Sequence, residues 1–147
     1  MRAIAALVSA AGLLSAVTIG PVFAQQPEAP LKIGLLDDFS SVYSHIGGVM
    51  DLEGAKMAIE DFGGVMFGKP IELVSADALN KPDIAASIAR KWWEIEGVDM
   101  IVGLPTSATA LAVMQVSKQT EKVMMVSDAA SSDHGQILLA LHGALDL

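Results

Sequence analysis

Ile101 to Thr109 reads IVGLPTSAT, and this stretch decides the fold. Met100 to Val102 ends a short apolar run, which Gly103 and Pro105 break. Two hydroxyls follow, Thr106 and Ser107, and a helix is expected from about Ala108 to Thr120. A buried strand that turns at Gly/Pro and feeds a helix is the repeating unit of a parallel α/β sheet. The first turn of that helix has N–H groups without internal acceptors, and its dipole is positive there. Such a place holds a small anion, and a carboxylate suits it as well as a phosphate. Spacing alone leaves two readings open. Either Thr106 and Ser107 hold the carboxylate of a small solute, or Ser107 simply caps the helix.

The same unit recurs on both sides. Downstream, Lys122 to Val126 (KVMMV) reads as a strand ended by Ser127-Asp128, and Leu111, Ala112 and Val116 are expected to face inward from the helix before it. Upstream, Val98 to Val102 is a strand. Before it lies a helix that Asn80 can cap, with Pro82 and Asp83 in its first turn and Gly97 at its end. Its expected buried stripe is Ile84, Ile88, Trp92 and Ile95, with one ring of Trp92-Trp93 in the core and one on the surface. Ile71 to Ala76 is a further strand, ended by Asp77. Leu52, Ala55, Ala58, Ile59 and Phe62 recur at helical spacing from Val49 to Phe62, where Gly63-Gly64 stops the helix. Leu31 to Leu36 (LKIGLL) is the first strand, and Asp37-Asp38 are expected as solvated residues at its end. Phe39 to Gly48 is a polar, Gly-containing loop that carries Tyr43.

This order is βαβαβαβ. It predicts an α/β fold with a doubly wound parallel sheet and right-handed crossovers. Ligands of such sheets bind outside the carboxyl ends of the strands. The loops at that edge are Asp37 to Gly48, Ala76 to Asn80, Gly103 to Ser107, and Ser127 to Asp133. Three are rich in Ser, Thr and Gly, and this polar but neutral rim suits a zwitterion better than a polyanion.

Composition narrows the function further. The chain has 147 residues, 52% of them hydrophobic but only 5% aromatic, so the expected core is aliphatic. A formal charge of -8 argues against nucleic acid and anionic lipid as partners. Cysteine is absent, which excludes disulfides and thiolate chemistry. The turn after Leu36 has no G-x-G-x-x-G, and no Gly-rich loop ends in Lys-Ser/Thr. Ser107 lacks the G-x-S-x-G setting of a hydrolase nucleophile. His45, His134 and His142 share no ligand spacing with a carboxylate, so neither a metal nor another cofactor is expected. Asp37-Asp38 at a strand end resembles the acidic pair of a phosphorylated receiver, but the third strand ends in Gly103 rather than Asp. What remains from the residues is the reading of a site for a small solute.

Residues 1–24 read MRAIAALVSAAGLLSAVTIGPVFA. Arg2, an uncharged run, a Gly20-Pro21 break and Val22-Phe23-Ala24 form a secretory signal pattern with cleavage expected after Ala24. A membrane anchor is the competing reading, weakened by the Gly-Pro break and the polar 25–30 segment, expected to be a flexible mature terminus.

Taken in order, Leu31 to Asp38, EGAKMAIEDFGG (Glu53 to Gly64), GKPIELVSAD (Gly68 to Asp77), IVG with Ser107, and VSDAASSD (Val126 to Asp133) carry a family resemblance. The series resembles the periplasmic substrate-binding proteins of branched-chain amino acid ABC transporters, the type I, Leu/Ile/Val-binding-like receptors. The resemblance implies a small-molecule ligand, an amino acid, held between two lobes and passed to an inner-membrane permease. It implies ligand contacts from Ser107 beside Thr106, from Ala129, Ala130 and Ser131 after the fourth strand, and from Tyr43 in the first loop. Residues 31–133 then correspond to part of an N-terminal lobe, while 134–147 (HGQILLALHGALDL) do not match. The expectation is a truncated or frameshifted product of low ligand affinity, because half a ligand shell cannot bury its solute. The alternative from another class is an exported sensory module that meets a protein partner through its open sheet edge.

Overall fold

The computed structural model describes residues 29–127, 129 and 130 of the chain. The expected leader and residues 134–147 therefore lie outside the described residues. Five strands and three helices follow one another as β1 (Leu31–Asp37), α1 (Val49–Phe62), β2 (Val65–Met66), β3 (Lys69–Asp77), α2 (Pro82–Lys91), β4 (Met100–Gly103), α3 (Ser107–Thr120) and β5 (Val123–Val126). A π-helical turn, Trp92–Glu96, extends α2. The sheet order is β2-β3-β1-β4-β5. β1, β3, β4 and β5 pair in parallel, as the alternating pattern predicts. β2 was not legible, since two residues are too few to show a period. It forms a hairpin with β3 through Phe67-Gly68, both at positive φ, as a two-residue hairpin turn demands.

Connection directions set the layers. The chain leaves β1 for β3 on one side, then jumps over β1 to β4 and continues to β5. With right-handed crossovers, α1 covers one face while α2 and α3 cover the other. β1 and β4 are neighbours whose following helices lie on opposite faces, so the crevice for a ligand opens between their carboxyl ends. Register brings Asp37 opposite Asp77, Leu36 opposite Gly103, and Gly103 opposite Val126 along that edge.

The core lies on the α2–α3 side. Leu36, Ile101 and Met124 point into it from the sheet, and Ala85, Ala89, Trp92, Ala110, Val113 and Val116 come from the helices. This corrects three expectations. Both tryptophans are buried, at 6% and 5% exposure, whereas Ile95 is 76% exposed. The cause is the π-helical turn, whose wider winding shifts the stripe that a regular 3.6-residue period would give. α3 buries Thr109, Ala110, Val113, Met114 and Val116; Val116 and half-buried Leu111 pack in the core as expected, while Ala112 is only half-buried. α1 has the expected bounds and ends in left-handed Gly63, yet buries no residue completely.

Gly34 explains how a large ring fits over β1. A Cβ there would lie 2.5 Å from Cζ3 of Trp92, so the indole rests directly on the strand backbone. Asp37 and Asp38 are the largest departure from the sequence reading. Both are fully buried rather than solvated, because the loop that follows folds back over the end of β1.

Candidate functional site

Asp38 organises the loop after β1. Its carboxylate accepts from the backbone N–H of Ser40 at 3.3 Å, Ser41 at 2.8 Å and Tyr43 at 3.0 Å, and from the Ser41 hydroxyl. Burial pushes its pKa up, but the Ser41 hydroxyl and the three N–H groups outweigh that and hold it below the ordinary carboxylate value. Asp77, opposite at the end of β3, binds the same loop. It accepts from Phe39 N–H at 3.1 Å and the Ser40 hydroxyl at 2.5 Å, and also from Leu79 N–H at 2.8 Å. Two strand-end carboxylates thus pin the segment that presents Tyr43, whose side chain remains partly exposed. The signal for this was present in the sequence: an Asp followed within three residues by two serines is the pattern of an Asx turn.

The turn from β4 into α3 is equally constrained. Gly103 has φ 99°, and a Cβ on it would lie 2.9 Å from the Leu36 carbonyl oxygen. Leu104, also at positive φ, donates its N–H to that oxygen at 2.9 Å. The strand therefore ends against β1 and turns sharply upward. Thr106, not Ser107, is the N-cap of α3. Its Oγ1 accepts from Thr109 N–H at 3.5 Å and donates to Asn80 Oδ1 at 2.9 Å. The expected cap by Ser107 is thus displaced by one residue. Asn80 is likewise not the cap of α2. Lys81 holds that position, while Asn80 stands in the left-handed region and ties the β3–α2 loop to the β4–α3 turn.

This one-residue shift releases Ser107. It becomes the first residue of α3, half-buried, and its hydroxyl makes no hydrogen bond among the described residues. The first N–H groups of α3 beside it also lack internal acceptors. Ala129 and Ala130 follow β5 at the same edge, the first half-buried against the core and the second exposed. Ser131 lies outside the described residues. The four loops named from the pattern do stand side by side at the carboxyl edge, as far as they are described.

The two roles of the hydroxyl pair separate by mutation. Thr106→Ala should lower unfolding free energy by about 1 kcal/mol, the usual loss of an N-cap, read from the urea midpoint. Ser107→Ala should leave that midpoint unchanged. Equal losses would return the capping role to Ser107.

Among described residues no helix is long and apolar enough to cross a membrane, and no three His, Cys, Asp or Glu side chains group as metal ligands. A family model described as a periplasmic binding protein matches residues 30–137. A periplasmic binding protein from Burkholderia mallei is 47% identical, with a TM-score of 0.69, over 71% of this chain and 28% of its own. A branched-chain amino acid ABC transporter periplasmic ligand-binding protein from Burkholderia xenovorans is 41% identical, with the same TM-score and coverage. A solute-binding protein from Rhodopseudomonas palustris, solved with 3,4-dihydroxybenzoic acid, is 24% identical over 74% of this chain and 30% of its own, with a TM-score of 0.68, and shows the shared fold. No curated protein matches. The chain thus spans 28% of the length of the first two structures it resembles. With residues 30–137 of 147 matched and the parallel sheet shared with solved members, this chain belongs to the periplasmic binding protein family and carries part of its type I fold.

Proposed function

We propose that this chain carries one wall of a solute-binding site, serving capture of an amino acid or similar small zwitterion for an ABC permease. The observation behind it is the Ser107 hydroxyl on the first turn of α3, without a hydrogen bond among the described residues and beside the crevice between β1 and β4. A carboxylate placed there meets helix N–H groups, a positive dipole end and a hydroxyl donor together. Tyr43, Thr106, Ala129, Ala130 and Ser131 complete the wall in this reading, with Thr106 acting mainly to hold the turn through Asn80. The solute is bound and released unchanged. Export through the 1–24 leader delivers the protein to the periplasm, where the permease is its partner.

Relatives differ in ligand, one being a branched-chain amino acid transporter component and another holding a dihydroxybenzoate. Thermal unfolding of the whole chain with added leucine or 3,4-dihydroxybenzoate distinguishes these. A ligand that binds only the folded state raises the midpoint. Leucine should raise it and the aromatic acid should not. In a form that carries both lobes, Ser107→Ala should then weaken leucine binding by roughly 1.5–3 kcal/mol, tenfold or more, as one hydrogen bond to a charged group is lost. No rise with either compound overturns solute capture by this chain. A second reading has its own observation: Met125 on edge strand β5 is 60% exposed. An exported module that meets a protein partner along that edge would show no response to solutes.

A further inference from the structure

Side chains of a strand alternate between the two faces of its sheet. Ile101 of β4 and Met124 of β5 point into the α2–α3 core, so Met100, Val102, Val123 and Met125 stand on the other face. No charge interrupts this strip. Val123 is 40% exposed and Met125 60%, while Met100 and Val102 are half-buried. α1 is the helix on that side, but it packs chiefly on β3, beyond β1, and buries none of its residues completely. Among the described residues no helix covers β4 and β5 on that face. The chain leaves β5 at the carboxyl edge, where Ser127 N–H donates to Gly103 O at 3.0 Å, and Ala130 beyond it is exposed. The sequence that follows is polar over 131–136 (SSDHGQ) and then strongly apolar over 137–147 (ILLALHGALDL).

We propose that residues 137–147 of this same chain cover the strip, lying across Val102 and Met125. The dimensions agree. β4 and β5 have four residues each, about 13 Å of strand, and eleven residues of helix measure about 16 Å. Leu138, Leu141 and Leu145 share one side at helical spacing and supply the apolar stripe that such a face requires. Residues 131–136 reach about 20 Å when extended, enough to pass around the edge strand. Turning from β5 back over β4 keeps the right-handed sense that carries α1 from β1 to β3 on this face. Covering Met125 removes an apolar edge that otherwise invites pairing with other chains. This contact lies away from the solute wall and does not depend on the solute reading.

The absence of cysteine makes the test direct, since any disulfide is the one introduced. Met125→Cys is combined in the whole chain with Leu138→Cys, Leu141→Cys or Leu145→Cys, one at a time, and dilute protein is oxidised. At least one pair should close within the chain, shown by faster migration on a non-reducing gel that reductant reverses, because bridging needs Cα atoms within about 7 Å. Gln115→Cys, exposed on α3 over the opposite face, should not close with any of the three. Leu141→Asp should lower the urea midpoint of the otherwise unchanged chain. Disulfide-linked dimers in place of the internal bridge overturn the proposal and make a second copy the occupant. It is also overturned by no bridge from Met125→Cys, by equal bridging from Gln115→Cys, or by a midpoint that Leu141→Asp leaves in place.

Discussion

Trp92→Ala should cost about 3–5 kcal/mol of unfolding free energy, the largest loss expected from any single side chain here. The ring is buried in the main core, seated on the backbone of β1 at Gly34 and beside Val98. It belongs to the π-helical turn that links α2 to β4, so it anchors one strand to the crossover leading to the next. Removing it leaves a cavity that a strand backbone cannot collapse to fill. Total stability of a domain this size is only about 5–15 kcal/mol, so the variant should lose most of its cooperative unfolding transition in urea. Gly34→Ala tests the same contact from the other side. Its Cβ would stand 2.5 Å from the ring, forcing the indole off the strand at a cost of roughly 1–3 kcal/mol. The double variant Gly34→Ala/Trp92→Ala should lose less than the sum of the two, since the added methyl enters the vacated space. Strict additivity would show that the two residues do not meet.

Asp38→Ala should lower unfolding free energy by roughly 1.5–3 kcal/mol and loosen the loop that carries Tyr43. Three backbone donors and the Ser41 hydroxyl converge on this buried carboxylate. Half of the loop is open to water, so some of the released donors are rehydrated, which keeps the loss below the sum of four bonds. Hydrogen exchange at Ser41 and Tyr43 should accelerate while β1 stays protected. The pH dependence follows from the direction of the shift. Asp38 has a lower pKa folded than unfolded, so its contribution is complete above the unfolded value. It disappears as pH falls through the folded value, below the ordinary carboxylate range. Asp38→Asn should therefore flatten the acid limb of the stability profile. An unchanged limb would mean that the loop does not depend on this charge.

Much of the fold was legible because each element repeats a local rule. The apolar runs of β1, β3, β4 and β5, separated by helical spacing and Gly stops, predict parallel pairing without knowledge of any partner. α1 kept its expected bounds, since Gly63-Gly64 ends a helix by backbone conformation alone. Illegibility began where burial depends on distant chain. The π-helical turn moved Trp93 inward and Ile95 outward, and no 3.6-residue count anticipates that. Asn80 has the residue type of a cap, but a hydroxyl 26 positions away, on Thr106, claims its side chain instead.

The site divides the same way. Sequence alone determined that Thr106 and Ser107 open a helix after a strand, at the edge where α/β sheets bind ligands, because strand, turn and helix signals are contiguous there. Only the tertiary structure decided which hydroxyl caps the helix, since the choice rests on Asn80 reaching across from the neighbouring loop. Only it turned Asp37 and Asp38 from surface acids into buried ones, because the chain from Phe39 to Gly48 folds over them. And only it set Asp51 against Asp37, through an α1 first turn brought over the strand end at Gly47. A sequence records which groups are charged; the fold decides which of them lose their water, and that loss gives a carboxylate its structural role.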